Sequence, residues 1–176
     1  MMMQKKPIGK CGMTCTLCPR HYTKGRSCCE GCNSESFFSQ ICMIFACCTK
    51  KKLNGCWECG EYPCTRLTHR KNFKGIYSQD TWLQTCEMIR SKGLDAWYRE
   101  YAEKSDMIEQ MLTRYNNGRL KSFICNLFMN NDLATLKRVA AEGEKIPYKS
   151  PSETGPLFRE AVERMEGVSI GTPKDD

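Results

Sequence analysis

Residues 11–21 read CGMTCTLCPRH. This stretch places three thiols within eight positions: Cys11, Cys15 and Cys18. In the chain as a whole, twelve of the fourteen cysteines precede residue 65. The other two, Cys86 and Cys125, lie in stretches with helical periodicity, where we interpret them as small buried apolar side chains. The sequence therefore divides into a cysteine-rich first part and a helical remainder.

The compartment decides what clustered thiols do. The N-terminal stretch MMMQKKPIGK has no apolar run and no small-residue cleavage site, so it does not predict a secretory signal. No stretch approaches the ~18 apolar residues of a membrane span. We therefore expect a cytoplasmic protein, in which thiols stay reduced and bind metal rather than each other. A small cysteine-rich unit, short of apolar core, gains much from such a metal.

The spacing of the thiols supports a metal centre. Two residues separate the members of three pairs: Cys15/Cys18, Cys29/Cys32 and Cys56/Cys59. This spacing lets one tight turn direct both sulfurs at one tetrahedral ion at about 2.3 Å. Cysteines that are adjacent in sequence point apart, so Cys28 and Cys48 are predicted to be spare beside Cys29 and Cys47. His21, three positions after Cys18, is either a further ligand or an exposed loop residue.

The identity of the metal is less constrained by the sequence. Ligation by thiolates alone suits both zinc and iron–sulfur clusters. The spacing matches neither common ferredoxin pattern, which favours zinc and leaves a cluster bound from distant segments as the alternative. The first three thiols also have the spacing used by radical S-adenosylmethionine enzymes. However, the chain has no preceding strand and no alternation of strands and helices for the barrel of those enzymes.

Four segments resemble the domain-of-unknown-function 3795 family, a group of cysteine-rich proteins common in anaerobic bacteria and archaea. They are CGMTCTLCP at 11–19, CEGC at 29–32, CMIFAC at 42–47 and CWECGEYPCTRL at 56–67. The resemblance covers about 8–67 and implies a metal-binding fold without supplying an activity. The ten matching cysteines, which we predict as metal ligands, are Cys11, Cys15, Cys18, Cys29, Cys32, Cys42, Cys47, Cys56, Cys59 and Cys64.

The charge distribution bears on partners. The chain has a net charge of +7, with +9 in residues 1–75 and −2 in the remainder. A zinc ion with four thiolates carries a charge of −2, and three such sites would lower the first part from +9 to +3. The cysteines also lack the spacing of C2H2 fingers, so nucleic-acid binding is not favoured. We expect a protein partner to bind through the helical part, and we expect no membrane association.

The fold is predicted to be mainly α. We expect an irregular, metal-stapled cysteine-rich N-terminal module at 8–67, a small helical domain at 68–143, and a linker, weak helix and polar tail at 144–176. Periodic apolar residues predict helices at 34–51, 65–73, 79–92, 95–104, from Ser105 or Asp106 to 116, 120–129, 132–141 and 157–165. No run of alternating apolar residues predicts a sheet.

Two functional hypotheses follow from the thiols. The first is a cytoplasmic structural or interaction module that binds two to three zinc ions. The second is an iron–sulfur or thiol-based redox protein or sensor, because two closed four-thiol sites leave two of the ten predicted ligands unused. We find no nucleophile–base pair, no paired carboxylates and no glycine-rich phosphate loop, so the sequence leaves open whether the protein is an enzyme.

Overall fold

The fold is mainly helical in the computed structural model, which describes residues 8–25, 28–29, 31, 40–68 and 79–170. Within these residues there are seven α-helices and no β-strand: α1 (Met43–Lys50), α2 (Thr65–Thr68), α3 (Gln79–Lys92), α4 (Leu94–Tyr115), α5 (Lys121–Asn130), α6 (Leu133–Glu144) and α7 (Pro151–Glu163). An irregular cysteine-rich region precedes the larger helices. The predicted fold class is therefore confirmed.

The chain divides into two compact units, Met1–Arg99 and Glu100–Asp176. The division falls inside α4, so the residues of this helix up to Arg99 belong to a different unit from the rest of it. None of the described helices is both long enough and apolar enough to cross a membrane.

The first unit combines irregular loops with α1, α2 and α3. Its loop at 8–18 is closed by an isolated antiparallel bridge between Ile8 and Thr14, and the Gly9 N–H donates to the Met13 carbonyl at 2.7 Å. Two 3₁₀ turns follow from the cysteine spacing, at Cys15–Leu17 and Cys56–Glu58. In this region the backbone N–H and carbonyl groups are therefore paired within turns rather than between strands.

Helix α3 is the main regular element of the first unit. It spans the residues predicted for it, and it ends at Gly93, which has a φ of 86°. Trp82, Cys86 and Ile89 repeat at i, i+4 and i+7 and are buried, as the periodicity predicted. The helix packs on the turn Cys56–Glu58 and so lies against the cysteine-rich loops.

The second unit is built around α6 and α7, which pack on each other. The Tyr115 ring stacks on Phe158 with 4.0 Å between ring centroids and 9° between ring planes. Small residues permit this approach, because a Cβ on Gly155 would clash with the Tyr115 carbonyl oxygen. Both aromatic rings are buried and belong to the apolar core of this unit.

The prediction of two helices, at 95–104 and from Ser105 or Asp106 onward, was wrong because α4 continues unbroken through both stretches. No glycine or proline interrupts this segment. Serine and aspartate favour helix caps only where the chain can leave the helix, and here Ile108, Met111 and Tyr115 extend one buried face to the end of α4.

The last helix begins six residues before its predicted start. Pro151 is its first residue, and the Ser150 hydroxyl accepts a hydrogen bond from the Glu153 N–H. This cap outweighs the linker-like composition around it. The prediction of one helix at 34–51 was wrong at Ile41 and Cys42, which are not helical; Cys42 has an extended backbone and α1 begins after it, at Met43, while residues 32–39 lie outside the described residues. The predicted 65–73 helix is described only as far as Thr68.

Candidate metal centre

Two of the three Cys-x2-Cys pairs form the same tight turn. The Cys18 N–H donates to the Cys15 carbonyl and the Cys59 N–H donates to the Cys56 carbonyl, each at 3.1 Å. In both turns the second cysteine has an extended backbone, which ends the 3₁₀ geometry after three residues. The spacing predicted a tight turn at these pairs, and the turn is observed; that its two sulfurs bind one ion stays a prediction. In the third pair, Cys32 lies outside the described residues.

Gly12 allows the first cysteine loop to lie against α3. Its φ of 91° is one that residues with side chains rarely adopt. A Cβ at this position would lie 2.6 Å from the Trp82 carbonyl oxygen and 2.7 Å from the Cys86 sulfur. The Cys86 thiol donates to the Cys11 carbonyl at 3.5 Å. The dipeptide Cys11–Gly12 is therefore held by a helix that follows the cysteine-rich segment.

The second cysteine turn is joined to the first loop and to α3. The Cys56 N–H donates to the Lys10 carbonyl at 2.7 Å, and the Lys10 ammonium donates to the Leu53 carbonyl at 2.7 Å. On the other side, the Arg90 guanidinium donates to the Trp57 carbonyl at 2.9 Å. These contacts hold the second turn in place from two directions.

A cavity of about 370 Å³ lies beside the second turn and is bordered by α1 and α2. Among the residues that the structure describes, its wall contains five thiols: Cys47, Cys48, Cys56, Cys59 and Cys64. We call it the thiol cavity. The side chains of Lys51 and Glu61 at its rim are 38% and 73% exposed, so the cavity is open to solvent.

Two cations contact the thiols of this cavity. The Arg66 guanidinium donates to the Cys47 sulfur at 3.2 Å. The Lys51 ammonium lies 3.9 Å from the Cys59 sulfur and 2.8 Å from a Glu61 carboxylate oxygen. Cysteines bind metal as thiolates, so a filled site would carry negative charge beside these two cations. The cavity thus combines soft donors with positive charge that offsets them.

Cys48 and Cys56 form a buried thiol pair with 3.9 Å between their sulfurs. The hydrogen bond from Cys56, assisted by the positive charges of Lys10 and Lys51, lowers the pKa of the Cys48 thiol to about 7. The same hydrogen bond and burial raise the pKa of Cys56. Deeper in the unit, burial raises the pKa of Cys86 to about 12. Cys48 is therefore the member of the pair that ionises first.

The structure gathers four of the ten predicted ligands around the thiol cavity: Cys47, Cys56, Cys59 and Cys64. The cavity wall does not include five others: Cys11, Cys15, Cys18, Cys29 and Cys42. Within the described ranges, no three or more His, Cys, Asp or Glu side chains form a group that could hold a metal ion. The ligand set therefore stays a prediction, although the thiols and cations of the cavity are the donor set that a soft metal requires.

Sequence reasoning missed the position of Cys48. This residue was predicted to be a spare, yet it is 3% exposed and lines the thiol cavity. A signal was present, because Ile44 and Cys48 are four residues apart and share the buried face of α1. The rule that adjacent cysteines point apart was sound, but it does not say which of the two faces inward.

A comparison with protein families identifies the cysteine-rich segment. Residues 7–69 match the model of a family described as protein of unknown function (DUF3795). The segment is a DUF3795 domain. This confirms the resemblance drawn from the cysteine spacing. No curated protein and no solved structure matches the chain.

The DUF3795 segment contains the 3₁₀ turns at Cys15–Leu17 and Cys56–Glu58, α1, α2 and every described residue that lines the thiol cavity. It ends one residue after α2 and so excludes α3. The description of the family names no activity. Any function must therefore be argued from the site itself.

Proposed function

We propose that residues 8–67 form a thiolate-ligated metal-binding module of a cytoplasmic protein. The observation that carries this proposal is the thiol cavity, in which five cysteines meet two cations within a stretch of loops and short helices. Such a stretch has little apolar core of its own, and metal binding is a common source of folding energy in domains of this kind.

Zinc is the metal we propose, at two to three ions per chain. Thiolates arranged in Cys-x2-Cys turns are typical of structural zinc sites, which use four protein ligands. A four-thiolate zinc site carries a charge of −2, and the cations of Arg66 and Lys51 are placed to offset it at the thiol cavity. The reduced state of cytoplasmic thiols is the condition that such sites need.

In this proposal the metal has a structural role and the helical part provides the contacts to a protein partner. Leu157 and Tyr148, in the second unit, are large apolar residues with 52% and 51% of their surface exposed. We do not propose nucleic acid as the partner. Of the basic residues at 50–74, Lys51 and Arg66 already contact thiols or carboxylates, which removes them from a polyanion surface.

The test is elemental analysis of the full chain purified without oxygen, together with an ultraviolet–visible spectrum. We expect two to three zinc per chain and no visible colour. Cys59→Ser and Cys64→Ser should each lose about one zinc per chain, because each removes one of four ligands. Cys125→Ala is the matched control, since it removes a buried thiol from α5 in the second unit and should keep all the zinc. Wild-type protein without bound metal would contradict the proposal.

A second candidate is an iron–sulfur protein, and the size of the thiol cavity favours it. A water molecule needs only about 10–15 Å³ of such space, whereas this cavity offers about 370 Å³. That volume suits a group of several atoms better than a single ion. We would accept this candidate in place of zinc if the protein is brown and contains iron and acid-labile sulfide, and if the Cys59→Ser variant loses both.

A further inference from the structure

Helix α1 brings two adjacent thiols to the thiol cavity, and their surroundings differ. Cys48 is 3% exposed and lies on the same helix face as the buried Ile44. Cys47 is only partly buried, and its sulfur accepts a hydrogen bond from the Arg66 guanidinium. Adjacent side chains of an α-helix point about 100° apart, so the two thiols cannot play the same part at one ion.

The distance between Cys48 and Cys56 is the one expected of two ligands of a single tetrahedral ion. Two sulfurs that each lie about 2.3 Å from such an ion are about 3.8 Å apart. The sulfurs of Cys48 and Cys56 are 3.9 Å apart. The pair therefore has ligand spacing without any movement of α1 toward the second turn.

We propose that Cys48, rather than Cys47, is the ligand that α1 supplies to the zinc of the thiol cavity. This inference rests on the proposed function. The other ligands are Cys56, Cys59 of the same turn, and Cys64, all in the cavity wall. Four thiolates would make this a closed site, for which the Cys59 and Cys64 sulfurs must move toward the Cys48–Cys56 pair, because no three donors are grouped among the described residues. Cys47 then stays outside the ligand set and is held by Arg66.

The experiment compares Cys47→Ser with Cys48→Ser in the full chain, purified without oxygen. We expect Cys48→Ser to lose one zinc per chain and Cys47→Ser to keep the wild-type zinc content. Cobalt(II) then replaces zinc as a second probe. The sulfur-to-cobalt charge-transfer absorption, which grows with the number of bound thiolates, should fall in Cys48→Ser and stay at the wild-type level in Cys47→Ser.

Loss of zinc through general damage to α1 is tested by a third variant. Ile44→Val trims the same buried face one turn earlier and removes no thiol. It should keep its zinc, whereas zinc loss in Ile44→Val equal to that in Cys48→Ser would overturn the inference.

The outcomes separate this inference from the proposed function. Wild-type protein without metal would overturn both. Zinc in the wild type, with loss in Cys47→Ser and retention in Cys48→Ser, would overturn the inference alone. Equal loss in the two variants would also overturn it, because the two thiols would then act together.

Discussion

Gly12 and Gly93 both have a positive φ, but their surroundings differ. Gly12 has a φ of 91° and lies against the Trp82 carbonyl, whereas Gly93 has a φ of 86° and a Cβ added there would meet no neighbour within 4 Å. We expect Gly12→Ala to lower the free energy of unfolding by about 2–4 kcal/mol, the sum of backbone strain and overpacking. Gly93→Ala, the matched control, should cost only about 1–2 kcal/mol. Urea unfolding of both variants measures the difference, and equal losses would contradict the close contact.

Cys86 should make stability depend on pH in the alkaline range. Burial raises the pKa of its thiol to about 12 in the folded protein, whereas the pKa of an unfolded thiol is about 8.5. Between these values the unfolded chain loses this proton and the folded chain keeps it, so stability falls as pH rises, by at most about 1.4 kcal/mol per pH unit. Below about pH 8 this thiol adds no pH dependence.

The measurement is urea unfolding of the wild type and of Cys86→Ala at pH 8, 9 and 10. The variant loses packing at every pH, but it lacks the titrating thiol. The gap in unfolding free energy between the two proteins should therefore narrow as pH rises. Parallel profiles would show that this thiol titrates alike in both states.

At the scale of the single element, the N-terminal cap of α7 gives a testable prediction of stability. The Ser150 hydroxyl accepts a hydrogen bond from the Glu153 N–H and donates one to the Glu153 carboxylate at 2.9 Å, so it caps the start of the helix. Ser150→Ala should lower the free energy of unfolding by about 1 kcal/mol. Ser152→Ala changes an exposed serine two positions later and should stay within about 0.5 kcal/mol of the wild type. Thermal unfolding of both variants measures the two effects. An equal loss of stability in the two variants would exclude the cap as the cause.

The helices also show which sequence signals decide an element. Helix α3 was predicted with the observed bounds, because three apolar residues on one face precede a glycine that ends the helix. Helix α4 was divided wrongly, since Ser105 and Asp106 resemble a cap but the buried face continues past them. In α1 the periodicity predicted a helix, yet only the folded structure shows that Cys48 faces inward. Local patterns thus predict helices well, and they do not show which face meets a partner from a distant segment.

At the scale of the whole molecule, metal removal should act on one region. If zinc holds the loops of 8–67 together, a chelator should increase hydrogen exchange at the described backbone amides of 8–25 and 40–68. The amides of α6 and α7, which pack on each other around Phe158, should keep their protection. Hydrogen exchange followed by mass spectrometry measures both regions in one sample. Unchanged exchange in the cysteine-rich loops after complete metal removal would contradict a structural role for the metal.

The tight turns of the candidate site could be predicted from the sequence, whereas the residues that line the thiol cavity could be predicted only in part. Spacing indicated the two tight turns and the thiol donors, because both depend on residues close in sequence. Spacing did not reveal the cations, because Arg66 reaches Cys47 from nineteen residues away. The predicted three-part division at 67 and 143 stays a prediction, while the compact units divide at Arg99. The cysteine content of a segment shows where the thiols are. It does not show where the compact unit ends, because that depends on contacts between distant segments.

The hydrogen bonds around α3 bear on how the cysteine-rich region can be excised. The Tyr62 hydroxyl donates to the Leu83 carbonyl at 3.2 Å, and Arg90 donates to the Trp57 carbonyl at 2.9 Å. Both partners on α3 lie beyond residue 69, where the family match ends. A fragment that ends at residue 69 would expose to water the apolar surface of its loops that α3 covers. We therefore expect the shortest stable fragment of this region to include α3 through Lys92 and to be longer than the segment that matches the family.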